Sequence, residues 1–175
     1  FKVLSDLGLI EYKPYQGAEL TESGRVEAIS LMRKHRLWET FMVENLGFGW
    51  DEVHEVAEQL EHVESKELID RLDAYMGYPS FDPHGDPIPN KLGEIDFVDK
   101  ISISDLKVNE KGIVSRIINE DEEFFNLLKK LKIEIGTEVT INDKIEYDDS
   151  IEILINKETV IISKDIANNI KITKI

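Results

Sequence analysis

The stretch PSFDPHGDPIPN, residues 79–90, holds four of the chain's five prolines and constrains the fold more than any other feature. Proline has a fixed φ and no amide hydrogen, so neither a helix nor a sheet interior runs through such a segment. It reads as a stiff connector, and the chain has a different texture on either side of it. Before it, Val26, Ile29, Met32, Leu37, Phe41 and Met42 recur at helical spacing and predict a helix of about two dozen residues, N-capped by Thr21 and ending at Gly47. A second helix is expected after Asp51, and a third from about Ser65 to Met76, with Leu68, Leu72, Tyr75 and Met76 apolar and Gly77 and Pro79 stopping it. The three helices are expected to share a core. From about Phe97 onward, EKGIVSRII, GTEVTIND, SIEILIN, ETVIIS and IKITKI predict short strands, with a single helix near residues 122–131, the pattern of a small, partly open, SH3-like β-barrel. At the other end, residues 1–7 read as the tail of a helix stopped by Gly8, and LIEYKPYQGAEL reads as a hairpin, with Pro14 and Gly17 in its turn.

Charge is distributed unevenly. The formal net charge is −15, and residues 38–90 hold thirteen Asp/Glu against two Lys/Arg, whereas residues 1–37 hold five against six. So dense an acidic excess repels itself unless it is solvated or neutralised by cations, and it argues against nucleic-acid binding by that segment. There is no cysteine, which excludes disulfides and thiolate metal sites. No apolar run approaches the length of a membrane span and no signal-like leader opens the chain, so a cytoplasmic location is expected.

Three of the four histidines lie in the acidic region. In HEVAEQLEH, His54, Glu58, Glu61 and His62 are spaced to share one helix face, beside an apolar stripe of Val53, Val56, Ala57, Leu60 and Val63. In RKHRLWE, His35 and Glu39 are four apart, and the connector adds Asp82 and His84. Carboxylates and imidazoles near a core must be paired, hydrogen-bonded or metal-bound. Two readings stand on these residues alone: a solvated acidic face on a structural dimerisation module, or a divalent-cation site built from nitrogen and oxygen ligands. A metal-dependent hydrolase is a further alternative, but HExxH, a nucleophile triad and a phosphate-cradling Gly loop are all missing, so an enzyme is not expected.

The run LGLIEYKPYQGAELTESG, then MRKHRLWETFMVENLGFGWDEVHEVAEQLEHVES, then PSFDPHGDPIP, in this order, resembles the diphtheria toxin repressor family of metal-dependent transcriptional regulators. The resemblance implies an α+β architecture in three parts. Residues 1–24 are the end of a winged helix-turn-helix, 25–90 a helical metal-binding and dimerisation domain, and 91–175 a linker and SH3-like (FeoA-like) domain. It also implies that most of the DNA-reading head precedes Phe1, so this polypeptide alone is not expected to bind operator DNA specifically. Lys13, and secondarily Lys2, are the wing's candidates for phosphate contact. The implied ligands are Glu58, Glu61 and His62 at a primary site, and His35, Glu39 and His54 at an ancillary one, with His35 joining the primary pair in manganese regulators. Asp82 and His84 are further ligands, Asp82 standing where relatives commonly carry Cys, and Glu120 is a candidate from the SH3-like part. Glu58 in place of Cys resembles the manganese-sensing branch, so Mn²⁺ or Fe²⁺ is the expected cofactor, and a homodimer with operator DNA the expected assembly.

Overall fold

A computed structural model describes residues 1–13, 15, 17–96, 100–119 and 121–175. Pro14, Phe97 and Glu120, which figure in the expectations above, lie outside the described residues. The chain forms two compact units. One gathers residues 1–48, 52–82 and 87–96, and the other gathers 49–51, 83–86 and the C-terminal stretch that includes everything from Lys100 onward.

In the first unit a short helix α1 (Lys2–Asp6) leads into strand β1 (Ile10–Lys13), which pairs antiparallel with β2 (Gly17–Leu20). Thr21 joins this hairpin to helix α2 (Glu22–Leu46). Its hydroxyl accepts from the Gly24 amide at 3.1 Å as the N-cap and donates to the Gly8 carbonyl at 2.7 Å. Gly24 is required here, because a Cβ at that position would lie 1.9 Å from the Leu9 carbonyl oxygen. Along α2, Leu37 packs with Ile69, Leu72 and Ile88, while Met42 packs with Val53 and Ala57; Trp38 lies against both groups.

Helix α3 (His54–Leu60) is shorter than HEVAEQLEH suggests. Glu61 and His62 fall in a turn closed by the Val63 amide on the Leu60 carbonyl, because the chain must redirect before Ser65 caps helix α4 (Lys66–Tyr75). The four polar residues therefore do not share one continuous helical face. On α4 the buried side chains are Ile69, Leu72 and Asp73, whereas Leu68 and Tyr75 are exposed. The inward face is thus rotated from the expected one, so that Asp73 can reach α2.

The connector folds back on itself through the Ile88 amide, which donates to the Ser80 carbonyl at 2.9 Å, and side chains of α2 hold its proline carbonyls. Arg33 donates to the Pro89 carbonyl at 2.7 Å and Arg36 to the Pro87 carbonyl at 2.6 Å, both from α2. Arg33 also pairs with Asp73 at 2.7 Å, and Arg36 lies 3.4 Å from Asp82.

The second unit is a six-stranded antiparallel sheet. Its strands are β3 (Ile101–Ser102), β4 (Lys111–Ile117), β5 (Glu138–Ile145), β6 (Ser150–Ile155), β7 (Glu158–Ile162) and β8 (Ile170–Lys174), in the order β3-β8-β4-β5-β6-β7. Helix α5 (Glu122–Leu131) buries Phe125 and Leu128 in the sheet's core with Ile141, Ile153 and Ile170. Bulges interrupt β4 between Val114 and Arg116 and β5 between Ile141 and Asp143, giving the strands the bend that a small barrel needs. The expected single helix is accompanied by a second, α6 (Lys164–Asn168), capped by Ser163. Five residues are too few to show a helical period in the sequence.

The Arg33–Asp73 side chains are only 10% and 6% exposed. Asp73→Ala strands the guanidinium and is expected to destabilise the first unit by about 3–5 kcal/mol in urea unfolding followed by helical circular dichroism. The double change Arg33→Met with Asp73→Leu leaves no unpaired charge and is expected to cost less than Asp73→Ala; an equal or larger cost would sink this account of the pair.

Candidate metal centre

Carboxylate and imidazole alternate through five side chains of the first unit. His35 and Glu39 lie one turn apart on α2, His54 and Glu58 one turn apart on α3, and Glu61 follows α3 directly. Nδ1 of His35 lies 2.7 Å from Glu61 Oε2, and its Nε2 lies 3.0 Å from Glu39 Oε1. The same Glu39 oxygen is 3.5 Å from His54 Nδ1, and His54 Nε2 is 3.6 Å from Glu58 Oε1. The two imidazoles meet edge to face with centroids 4.9 Å apart. Glu39, at the middle of the chain, is 2% exposed.

Burial by itself lowers the pKa of His35, but the hydrogen bonds and charges of Glu39 and Glu61 outweigh it, so the ring is held above its ordinary value. Both of its nitrogens face carboxylate oxygens, which only accept, so the ring is an imidazolium with both hydrogens engaged. His35, Glu39 and His54 each offer a ligand atom within 4.8 Å of the others. The donors are oxygen and imidazole nitrogen without sulfur, which fits a divalent cation of hard to borderline character once His35 gives up a proton.

The other expected site residues are placed differently. Glu61 and Glu58 lie against His35 and His54 respectively, so the two expected ligand sets are linked through imidazole–carboxylate contacts. His62 is exposed in the turn after α3 and joins no group of three potential ligands among the described residues. Asp82 is buried in the first unit beside Arg36. His84 belongs to the second unit, where Nε2 donates to the Trp50 carbonyl at 2.7 Å and the ring stacks on Phe125. Lys13 is exposed at the end of β1, opposite Gly17, and Lys2 is exposed on α1. Sequence reasoning missed the parts played by Arg33 and Arg36. A signal existed: any carboxylate buried from residues 38–90, with two bases of their own, must borrow a cation from outside, and RKHR lies immediately before them.

Two family descriptions match the chain: "iron dependent repressor, metal binding and dimerisation domain" over residues 21–90, and "FeoA domain" over 101–174. The diphtheria toxin repressor of Corynebacterium glutamicum is 34% identical across 96% of this chain and 77% of its own length. The chain belongs to the diphtheria toxin repressor family. Within that family, the iron-dependent repressor IdeR of Mycobacterium tuberculosis is 44% identical over 82 residues, covering 47% of this chain and 36% of that one. A solved manganese-dependent transcriptional repressor in complex with manganese superposes with a TM-score of 0.88 at 33% identity, over 99% of this chain and 81% of that one. These relatives are repressors rather than enzymes, and the second and third are named for iron and manganese respectively. Among the described residues, no helix is long and apolar enough to cross a membrane.

Because the folded pKa of His35 is raised, its ion pairs stabilise the metal-free protein fully below pH 6.5 and are lost as pH rises through the raised value. Urea unfolding of the wild type and His35→Gln at about pH 6 and about pH 8 is expected to show a stability gap that narrows at the higher pH. A gap that stays constant or widens would remove this assignment.

Proposed function

We propose that this protein is a metal-dependent transcriptional repressor of metal homeostasis genes, activated by Mn²⁺ or Fe²⁺, acting as a cytoplasmic homodimer on operator DNA. The observation that carries the reading is the chain Glu61–His35–Glu39–His54–Glu58, in a protein similar to an iron-dependent and a manganese-dependent repressor. Glu58, Glu61 and His62 form the primary ligand set, with His35, Glu39 and His54 the ancillary set, and Asp82 and His84 adding ligands. The direct bond between His35 and Glu61 supports the variant in which His35 also serves the primary set. The lack of any thiolate favours manganese as the cognate ion.

The residues act as a proton-for-cation exchange. In the protonated state the His35 imidazolium bridges α2 and the turn after α3, so helix and turn are held together by charge-assisted hydrogen bonds to Glu39 and Glu61. Loading requires His35 to release a proton and frees Glu39 and Glu61 to serve as ligands. A bound divalent cation supplies two positive charges to a segment that carries a net of −11, relieving its self-repulsion. The dimer then presents two DNA-reading heads, of which the β1–β2 hairpin with Lys13 is the wing, at the fixed spacing that a palindromic operator requires.

Calorimetric titration of chelator-stripped protein with Mn²⁺, run near neutral pH in two buffers of different ionisation enthalpy, tests this reading. Saturable binding with net proton release is expected, strongly weakened in Glu39→Gln and in Glu61→Gln. An absence of saturable binding, or affinity untouched by both substitutions, would overturn it.

A further inference from the structure

The barrel sheet ends in two edges of unlike construction. At one, β3 is two residues long, and so short an edge offers another chain little to pair with. At the other, β7 runs for five residues, ETVII, of which the last four are β-branched. It holds no proline, and its register on β6 is unbroken, whereas β4 and β5 carry bulges. Shortness, proline and a bulge, which commonly blunt an edge strand, are all missing from β7.

The turn that starts β7 decides which of its backbone groups face outward. Asn156 and Lys157, at φ +48° and +69°, form the two-residue loop between β6 and β7, so Ile155 and Glu158 are the hydrogen-bonded pair beside it. Alternation then turns the backbone of Glu158, Val160 and Ile162 toward β6 and that of Thr159 and Ile161 away from it. Among the described residues, no protein group bonds the amide or carbonyl of Thr159 or Ile161. Ser163 continues the extended line, with φ −69° and ψ 159°. Ile161 is 58% exposed, and the exposed Leu154 of β6, opposite Thr159, lies on the same outer face.

The sequence of this edge is complementary to itself. Two copies of β7 laid antiparallel about a twofold axis at Ile161 bring Thr159 opposite Ser163 of the second copy, and Val160 opposite Ile162. At the ends Glu158 falls opposite Lys164 and Lys157 opposite Asp165, and symmetry repeats both couples. Moving the axis to Val160 keeps the backbone groups in phase but sets Glu158 against Ile162 and Lys164 against Asn156, with no opposite charges facing. Charge thus selects one register. Glu158 and Lys164 already hold exposed partners within the chain, Lys132 at 3.2 Å and Asp149 at 3.1 Å, so the new couples set register more than strength.

We infer that β7 is a docking edge for a second copy of this chain, the two strands pairing antiparallel about Ile161 so that one sheet continues through both barrels. This contact lies outside residues 21–90, the part that matches a dimerisation domain, and it does not depend on metal. Residue-resolved amide hydrogen exchange of the whole chain, over a range of protein concentrations up to the solubility limit, is the test. The amides of Thr159 and Ile161 are expected to become protected as concentration rises. Those of Val160 and Ile162, bonded to β6, are protected throughout and report in every variant that the barrel is folded. Ile161→Lys sets like charges on the axis and is expected to abolish the concentration-dependent protection. Glu158→Lys and Lys164→Glu are each expected to raise the concentration needed about tenfold, and the double variant to restore it. Outward amides that exchange equally fast at every concentration overturn the inference. Protection that survives Ile161→Lys, or single charge reversals without rescue in the double variant, overturns the pairing about Ile161. A dimer formed through residues 21–90 alone responds to none of these substitutions, so failure here leaves the proposed homodimer standing.

Discussion

Buried carboxylates need cations, and in the first unit three of those cations stand within one short stretch of α2, at positions 33, 35 and 36. Arg33 meets Asp73 on α4, His35 meets Glu39 and Glu61, and Arg36 meets Asp82 in the connector. Each of these acids comes from a region that has few bases of its own. Removing one partner of a buried pair leaves a desolvated charge costing several kcal/mol, so these contacts determine how α2, α4 and the connector lie together in the first unit. The hydrophobic contacts of Leu37 with Ile69, Leu72 and Ile88 run along the same helix and reinforce the same arrangement.

The chemistry of the cations separates scaffold from site. A guanidinium does not lose its proton in the physiological range, so the pairs of Arg33 and Arg36 are permanent, and their spare donors occupy the Pro87 and Pro89 carbonyls. An imidazolium does lose its proton, and His35 is the one cation of the group that can withdraw from its carboxylates. The proposed exchange of a proton for a cation is therefore centred on the His35 position while the arginines on either side hold the helix in place. The structure has a rigid frame with one replaceable charge, an arrangement suited to sensing a cation.

Much of the fold was legible locally. The Thr21 cap, the length of α2, its stop at Gly47, the start of α4 at Ser65 and the alternating strands all follow from signals within a few residues, because caps, proline and side-chain periodicity act over that range. The misreadings share a cause. HEVAEQLEH has a helical period throughout, yet the helix ends at Leu60 because the chain has to turn toward α4. Leu68 and Tyr75 are as apolar as core residues, but the rotation of α4 follows the pull of Asp73 toward Arg33. Both outcomes depend on distant partners.

The composition of the candidate metal centre was determined by the sequence itself: four histidines, a carboxylate within a few residues of each, and no thiol. Tertiary structure alone decided which of them meet. It joined His35 to Glu61 across 26 positions, left His62 in solvent, and assigned His84 to the barrel unit with Trp50 and Phe125 around it. The physical reason is range. Backbone propensity and side-chain spacing act along the chain and are written in it. Desolvation and ion pairing act through space, and which charges they bring together is settled only when the chain has packed.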